Sequence, residues 1–400
     1  MKYSRGTLSD FIEFNPRESL PKGNVAKEIA MADLIPFQKK ISNYNISPYK
    51  GGMKFRNGDT LLARITPCLE NGKTAYVDIL NEDEVGFGST EYIVLRAIPQ
   101  KTIPEFVFYF AISDWFRKRA IALMTGSSGR QRVQTDKLMD LEVIMPDLET
   151  QKKIVRILSA LDRKIELNNQ LDLTVHNNLN AIFEDWFVHK NYNSNQSKWR
   201  KEKLGNFVTI NRGLSYKGQF LSDSGTPMIN LGNIMPGGIF RSEKNKYYTG
   251  EFKNKVVVKA GDLVMANTDM TQKREVLGTP LIVPSIYDGD VIFSHHIYSI
   301  KSEKIPTLFL YYLLLRKDFS DTAGGGATGT TVLFLPKDII ENYEFVLPDD
   351  AEINRFVDIA KKVLQRRNNI MHENMTLKTI RDTLLSRLMS GEIILEKVKI

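Results

Sequence analysis

The chain has 400 residues, 42% of them hydrophobic and 26% charged, a globular composition too long for one ordinary core and suited to roughly two to three domains. A formal net charge of +8 with an isoelectric point near 9.2 fits an anionic partner such as nucleic acid. A single cysteine, Cys68, excludes an internal disulfide framework, the longest apolar run, 308–315, is too short to span a bilayer, and no secretory apolar segment follows Met1, so a cytoplasmic location is expected.

Residues 1–146 alternate strand-like runs with Gly, Pro and Asn punctuation. Segments 60–65, 74–77 and 92–95 read as strands, and a helix is predicted over 105–122 with Pro104 at its first turn. A polar loop, 125–132, carries two basic residues, and a strand over 141–145 stops at Pro146. A long helix follows over 151–187, with Asp147 or Thr150 as N-cap. Its residues Ile154, Leu158, Leu161, Ile165, Leu171, Val175, Leu179, Ile182 and Trp186 recur at steps of three and four, broken only near Asn168 and Asn169. The segment 191–197 is polar and marks a linker.

From Trp199 the chain begins again. Leu204-Gly205-Asn206-Phe207 echoes Leu8-Ser9-Asp10-Phe11. Gly261-Asp262 follows Gly58-Asp59, and Ile305-Pro306 follows Ile103-Pro104. Tyr311-Tyr312 follows Tyr109-Phe110, Thr328-Gly329 follows Thr125-Gly126, and Leu347-Pro348 follows Met145-Pro146, all at a near-constant offset of about 200 positions. A second long helix, 353–389, then repeats the apolar rhythm through Ile353, Phe356, Ala360, Val363, Ile370, Leu377, Ile380, Leu384 and Leu388. This is a tandem duplication of a globular region plus a long helix. The divisions it predicts are 1–146, 147–190, 191–348 and 349–400.

A lone amphipathic helix of this length cannot hide its stripe from water, and its simplest partner is the helix of the other copy. Ile154, Leu158, Leu161 and Ile165 would then meet the stripe of Phe356, Val363, Ile370, Leu377 and Leu384. Two such helices paired antiparallel form a coiled-coil-like rod of roughly 45–55 Å at 1.5 Å per residue, with a globular domain at each end and a pseudo-two-fold axis. The class is α+β. B-DNA repeats every ~34–36 Å, so the rod is a ruler for two patches of one duplex. Asn168 and Asn169 are candidates for fixing register as buried Asn does in coiled coils; a solvated face is the other reading.

Catalytic motifs fail on context. Gly324, Gly326 and Gly329 match a dinucleotide fingerprint, but a β-prone run closed by Pro336 follows where a helix is required. Gly72-Lys73-Thr74 resembles the end of a phosphate-binding loop, yet Pro67 stands where its first glycine belongs. Pro146-Asp147 with Asp162-Arg163-Lys164 mimics a nuclease pattern, but both halves fall on or beside the long helix. His295 and His296 are neighbours that a strand would point to opposite faces, and so few His and Cys make a metal site improbable. The expectation is a chain without catalysis or metal of its own.

Polar loops carry the recognition chemistry instead. In the first copy Arg64, Asn71, Lys73, Ser127, Ser128, Arg130 and Arg132 are candidate DNA contacts. In the second they are Arg212, Lys217, Asn267, Gln272, Lys273, Arg274, Thr328, Thr330 and Thr331. Arg and Lys anchor phosphates or guanine edges, and Asn or Gln can pair with adenine. The glycines from Gly324 to Gly329 would let backbone approach a sugar-phosphate closely. The copies diverge most between Arg64 and Glu91 and between Asn267 and Ser294, as two different target sequences would require. A non-catalytic scaffold for protein or RNA is the alternative.

Three blocks carry a resemblance to a known family. They are Gln151-Lys152-Lys153-Ile154 through Leu158-Ser159-Ala160-Leu161-Asp162 and Lys164-Ile165-Glu166-Leu167-Asn168; Leu377 through Arg381-Asp382-Thr383-Leu384-Leu385 and Arg387-Leu388-Met389-Ser390-Gly391-Glu392-Ile393; and Ile182-Phe183 with Trp186-Phe187-Val188. In these the chain resembles the specificity subunit of a type I restriction–modification system, over nearly all its length. The resemblance implies two target-recognition domains separated by paired conserved helices, each domain reading one half of a bipartite double-stranded DNA sequence. It also implies that the helices set the spacer and dock two methyltransferase (modification) subunits, which a motor-nuclease (restriction) subunit joins. S-adenosylmethionine, ATP and Mg would belong to those partners, and no membrane is involved. One departure is that Thr328-Gly329-Thr330-Thr331 lacks the basic run Arg130-Gln131-Arg132 of its first-copy counterpart.

Overall fold

The computed structural model describes residues 3–127, 129–189, 199–271 and 273–393. The expected linker, Ser128 and Gln272 lie outside the described residues. The chain divides into two units, one made of Met1–Leu167 with Met375–Ile400, the other of Asn168–Asn374.

In the first unit, strands Ile12–Phe14, Tyr92–Ala97, Thr60–Ala63 and Thr74–Tyr76 lie side by side in that order as an antiparallel sheet. A second sheet runs Asn45–Pro48, Val25–Ile29, Gly86–Gly88, Met53–Phe55, with its central pair parallel. The side-chain period of a strand divides the interior in two. Leu62, Ile93 and Leu95 face a helical core, whereas Leu61, Tyr92 and Val94 join Ile29 and Phe55 from the second sheet. Helix α1 (Leu8–Phe11) opens the unit. The helix expected over 105–122 is two helices, α2 (Pro104–Ile112) and α3 (Asp114–Ala122). Ser113 breaks them: its extended backbone stops α2, and its hydroxyl donates to the Phe110 carbonyl at 2.7 Å while accepting from the Phe116 amide at 3.3 Å. Helix α4 (Thr135–Met139) precedes the strand Glu142–Pro146, which pairs antiparallel with Tyr3–Thr7.

Helix α5 (Leu148–Glu184) follows and ends in a π-helical turn, Asp185–His189. Asp147 caps it, accepting the Thr150 amide at 2.9 Å. Gln151 is buried there, receiving the Ile103 amide and donating to the Lys101 and Pro146 carbonyls at 2.9 and 2.8 Å.

The second unit repeats the plan. Strands Thr209–Arg212, Ile297–Lys301, Leu263–Ala266 and Pro280–Ile282 take the first sheet's order. A five-stranded sheet again has a central parallel pair, Thr226–Ile229 with Val291–Phe293. Leu263, Met265, Tyr298 and Ile300 face helices, and Val264, Ala266 and Ile297 face the other sheet. Helix α6 (Thr307–Leu315) is apolar on every face and accordingly buried. Helices α7 (Lys317–Gly325) and α8 (Lys337–Glu341) lead to strand Glu344–Leu347, which pairs with Arg200–Lys203. Helix α9 (Asp350–Met389) completes the chain's described helices.

Both long helices contribute to both units, since the division falls between Leu167 and Asn168 on α5 and between Asn374 and Met375 on α9. In the first unit Ile154 and Leu158 share one core with Leu385 and Leu388, against which Leu384 packs; Ile165 is buried and Leu161 and Leu377 half-buried. In the second, Leu179, Phe183 and Phe187 share a core with Ile353, Phe356 and Ala360, with Val363 packed against it and Ile370 buried. Two members of the expected stripes are misassigned. Leu171 is 36% exposed and Ile380 42% exposed. The inward positions beside them belong to polar residues, Asn168 and His176 on α5 and Asn374 and Arg381 on α9, all buried. Their burial is tolerated because each is hydrogen-bonded.

Candidate nucleic-acid interface

In each unit the candidate contacts gather where the central sheet strand runs out into loops. In the first, the Arg64 amide donates to the Glu91 carbonyl at 2.9 Å and its carbonyl accepts from Val133 at 2.9 Å, so backbone ties the strand end to the loop 125–132. Arg132 grips the Glu91 carboxylate through Nε at 2.9 and 3.0 Å and Nη2 at 2.6 Å. That hydrogen bond holds Glu91 below the usual carboxylate range and raises Arg132. Arg132 is thus committed to a surface ion pair, and Arg64 Nε is buried without a partner.

The loop is a hairpin closed by Met124–Thr125 against Arg132–Val133. Ser127 and Arg130 lie exposed at its tip. Gly126 has φ of +132°, and a Cβ there would meet the Arg130 carbonyl at 3.0 Å, so the tip needs glycine. Asn71 is exposed on a neighbouring turn. Lys73 Nζ is engaged within the unit, donating to the Met31 carbonyl at 2.6 Å.

The second unit builds the same junction from different side chains. Asn267 stands where Arg64 does: its amide donates to the His296 carbonyl at 3.0 Å and its carbonyl accepts from Leu335 at 2.8 Å. It is 0% exposed, and its side chain donates to the His295 carbonyl at 3.1 Å, so Asn267 shapes the junction. His295 and His296 form a turn, not a strand, and their rings lie side by side, tilted at 40° with centroids 3.9 Å apart, contrary to the expected opposite facing. Thr268 Oγ1 lies 2.9 Å from His296 Nδ1. Burial, then the neighbouring His295 and Arg212, depress the His296 pKa. Arg212 lies over the Phe334 ring at 5.4 Å with Nε 3.3 Å from the His295 carbonyl.

Asp269, which the sequence reading missed, organises the next loop. It is buried and accepts the Thr271 amide and hydroxyl at 2.7 and 2.8 Å and the Val276 amide at 2.8 Å. Lys273 and Arg274 are exposed on the loop so pinned. An acidic residue two before a threonine is an Asx-turn signal, the clue that was available. Thr328 closes a turn with Phe334 through paired backbone bonds of 2.8 and 2.9 Å, and Thr330 and Thr331 are exposed at its tip. Lys217 is exposed on a separate loop.

The catalytic look-alikes dissolve in context. Helix α7 runs into Gly324 and Gly325, so helix precedes the glycines where a dinucleotide site needs helix after them. Asp147 caps α5, and Asp162, further along that helix, binds Tyr109 and Arg381. Among the described residues no group of three His, Cys, Asp or Glu is placed to hold a metal, and no helix is long and apolar enough to cross a membrane.

Two copies of one frame, each presenting its own polar loops at the same junction, define a repeated recognition module. The family model described as type I restriction modification DNA specificity domain matches residues 3–177 and again 196–377, and the chain belongs to that family. It is 33% identical over 150 residues to the HindI specificity subunit of Haemophilus influenzae, a match covering 37% of this chain and only 32% of that one. It is 24% identical over 302 residues to the MjaVIII specificity subunit of Methanocaldococcus jannaschii, covering 71% of this chain and 70% of that one. The crystal structure of a type I restriction–modification S subunit from M. genitalium has the same fold, with a TM-score of 0.50 at 18% identity over 97% of this chain and 96% of that one.

Proposed function

We propose that this chain is the DNA-reading specificity subunit of a type I restriction–modification complex, with residues 1–146 and 191–348 each reading one half of a bipartite target. The observation that carries the reading is the twice-built junction: one backbone scheme, tied at Arg64 and at Asn267, presents unlike side chains in the two units. Unlike loops on like frames suit two unlike half-sites. Asn71, Ser127, Ser128 and Arg130 of the first domain, and Arg212, Lys217, Lys273, Arg274, Thr328, Thr330 and Thr331 of the second, meet DNA. Arg64, Lys73, Arg132 and Asn267 hold those loops in shape.

Helices α5 and α9, within the divisions 147–190 and 349–400, pair antiparallel as a coiled-coil-like spacer. Support comes from the shared apolar cores, in which Ile154 and Leu158 meet Leu385 and Leu388 while Phe183 and Phe187 meet Phe356. The outward face of α5, with Arg156 and Arg163 around exposed Leu167, is left for methyltransferase subunits. Those partners bring S-adenosylmethionine, and a motor-nuclease subunit brings ATP and Mg; no catalytic step is assigned to this chain, which acts in the cytoplasm. Co-expression with an adenine methyltransferase subunit should give a complex that methylates a split sequence. Methylation of one contiguous short site sinks the two-domain reading. Duplex binding with a two-patch footprint and steep salt dependence separates it from an RNA or protein scaffold.

A further inference from the structure

The inward positions at the middle of the long helices are polar, and their partners form a series. In the second unit Asn168, 3% exposed, donates through Nδ2 to Asn374 Oδ1 at 2.9 Å and to Glu373 Oε2 at 2.8 Å. Asn374 donates back to Asn169 Oδ1 at 2.8 Å. One turn further along α5, Asp172 accepts Arg367 Nε at 2.8 Å and Nη2 at 3.2 Å. In the first unit, Arg381 Nη1 donates to Asp162 Oδ1 at 3.0 Å. The α9 partners, Arg367, Asn374 and Arg381, stand at successive heptad positions.

Heptad spacing makes slippage the alternative to exclude. Sliding α9 by one heptad in one sense sets Asn168 against Arg367 and Asp172 against Ala360. In the other sense Asn168 meets Arg381 and Asp162 meets Leu388. Each slip strands a half-buried carboxylate and faces a guanidinium with an amide. A seam of leucines has no such preference, because one heptad looks like the next. We infer that Asn168–Asn374, Asp172–Arg367 and Asp162–Arg381 are positioning pairs that lock the helices in one register and so fix the number of base pairs between the half-sites. The inference rests on the bipartite reading above. A heptad slip moves one helix by about 10.5 Å, which corresponds to roughly three base pairs at ~3.4 Å each.

The test is the spacer profile of the complete methyltransferase complex on a duplex library with randomised spacer length, read by methylation sequencing. The wild type should select one spacer. With Asn168→Leu, Asn374→Leu, Asp172→Leu and Arg367→Leu together, a second class offset by about three base pairs should appear, discrimination falling at least about tenfold. An unchanged single spacer in this variant overturns the lock, while a wild-type complex methylating one contiguous site overturns the bipartite reading beneath it. Should the leucine variant not fold, the exchange Asp172→Arg with Arg367→Asp decides. It should restore the single spacer that either exchange alone relaxes, and a double variant as relaxed or as poorly assembled as the singles rejects the proposal.

Discussion

Tyr109 and Tyr311 occupy matching places in the two copies, yet they bind opposite charges. Tyr109 donates to the Asp162 carboxylate at 2.6 Å, which in turn holds Arg381. Tyr311 donates to the Gly238 carbonyl at 2.9 Å and lies beside Arg367, which Asp172 and His176 share. A perfect repeat would exchange α5 and α9 between copies and exchange the charges with them. Instead the carboxylates sit on α5 and the guanidiniums on α9 in both units. The charges follow the helix and not the repeat. Each helix thus carries the charge that its partner lacks, so the arrangement favours pairing of α5 with α9.

The sharpest way to break that comparison is to delete each guanidinium. Arg367→Ala leaves the half-buried Asp172 without its pair and should cost about 3 kcal/mol, the low end for a buried pair, in denaturant unfolding of the full chain. Arg381→Ala should cost about 1.5–3 kcal/mol less, since Asp162 keeps the Tyr109 hydroxyl. Equal losses at the two sites mean the joints are energetically alike and the contrast is one of geometry alone.

Next comes pH, because only the second joint contains a histidine. His176 Nε2 donates to the Gly237 carbonyl at 2.8 Å and Nδ1 accepts from Arg367 Nη1 at 3.2 Å, and burial followed by Arg367 lowers its pKa from 6.5 to about 4. The folded state therefore disfavours the charged ring. Its stabilising neutrality is fully present above pH 6.5 and is lost as pH falls toward 4, by about 3 kcal/mol at most. His176→Gln should flatten that part of the stability profile, measured by thermal unfolding across the window; an unchanged slope assigns the pH dependence elsewhere.

Smaller effects separate the two loop sets. Asp269→Ala should free the loop bearing Lys273 and Arg274 and weaken binding to the second half-site about tenfold, some 1.4 kcal/mol, leaving the first half-site unaffected in footprinting. Arg130→Ala should lower the salt slope of duplex binding by about 1. A loss confined to one DNA sequence would make Arg130 a base reader and not a phosphate anchor.

Much of this plan was legible in the sequence, for identifiable reasons. The duplicated frame announced itself because strand ends and helix starts need particular residues, Gly58 and Gly261 or Pro104 and Pro306, at fixed places. The long helices were visible through their apolar spacing, and Asp147 as the α5 cap through its chemistry. The middle of the seam was legible only at Asn168, whose break in the apolar rhythm made it a candidate for fixing register. A scan for apolar periodicity sees Asp172 and Arg367 as gaps, and it enlisted Leu171 and Ile380 to fill them. Polar residues become interior residues only through partners about 200 positions away, which no local pattern reports. Ser113 and Asp269 were missed because each acts on its neighbours' backbone through hydrogen bonds. Lys73 and Asn267 stood out by type alone, and the partners they have in the fold, the Met31 and His295 carbonyls, are distant in sequence and not legible locally.

The division of the chain into Asn168–Asn374 and a remainder joined from both sides has a consequence for synthesis. The second unit is contiguous, so every residue of its core is available once α9 has reached Asn374. The first unit begins earlier but lacks Leu385 and Leu388 until nearly the last described residues are made, and until then Ile154 and Leu158 have no apolar cover from α9. What is translated first is completed last, and a ribosome that stops short of Leu385 releases a chain whose later half is whole and whose earlier half is open.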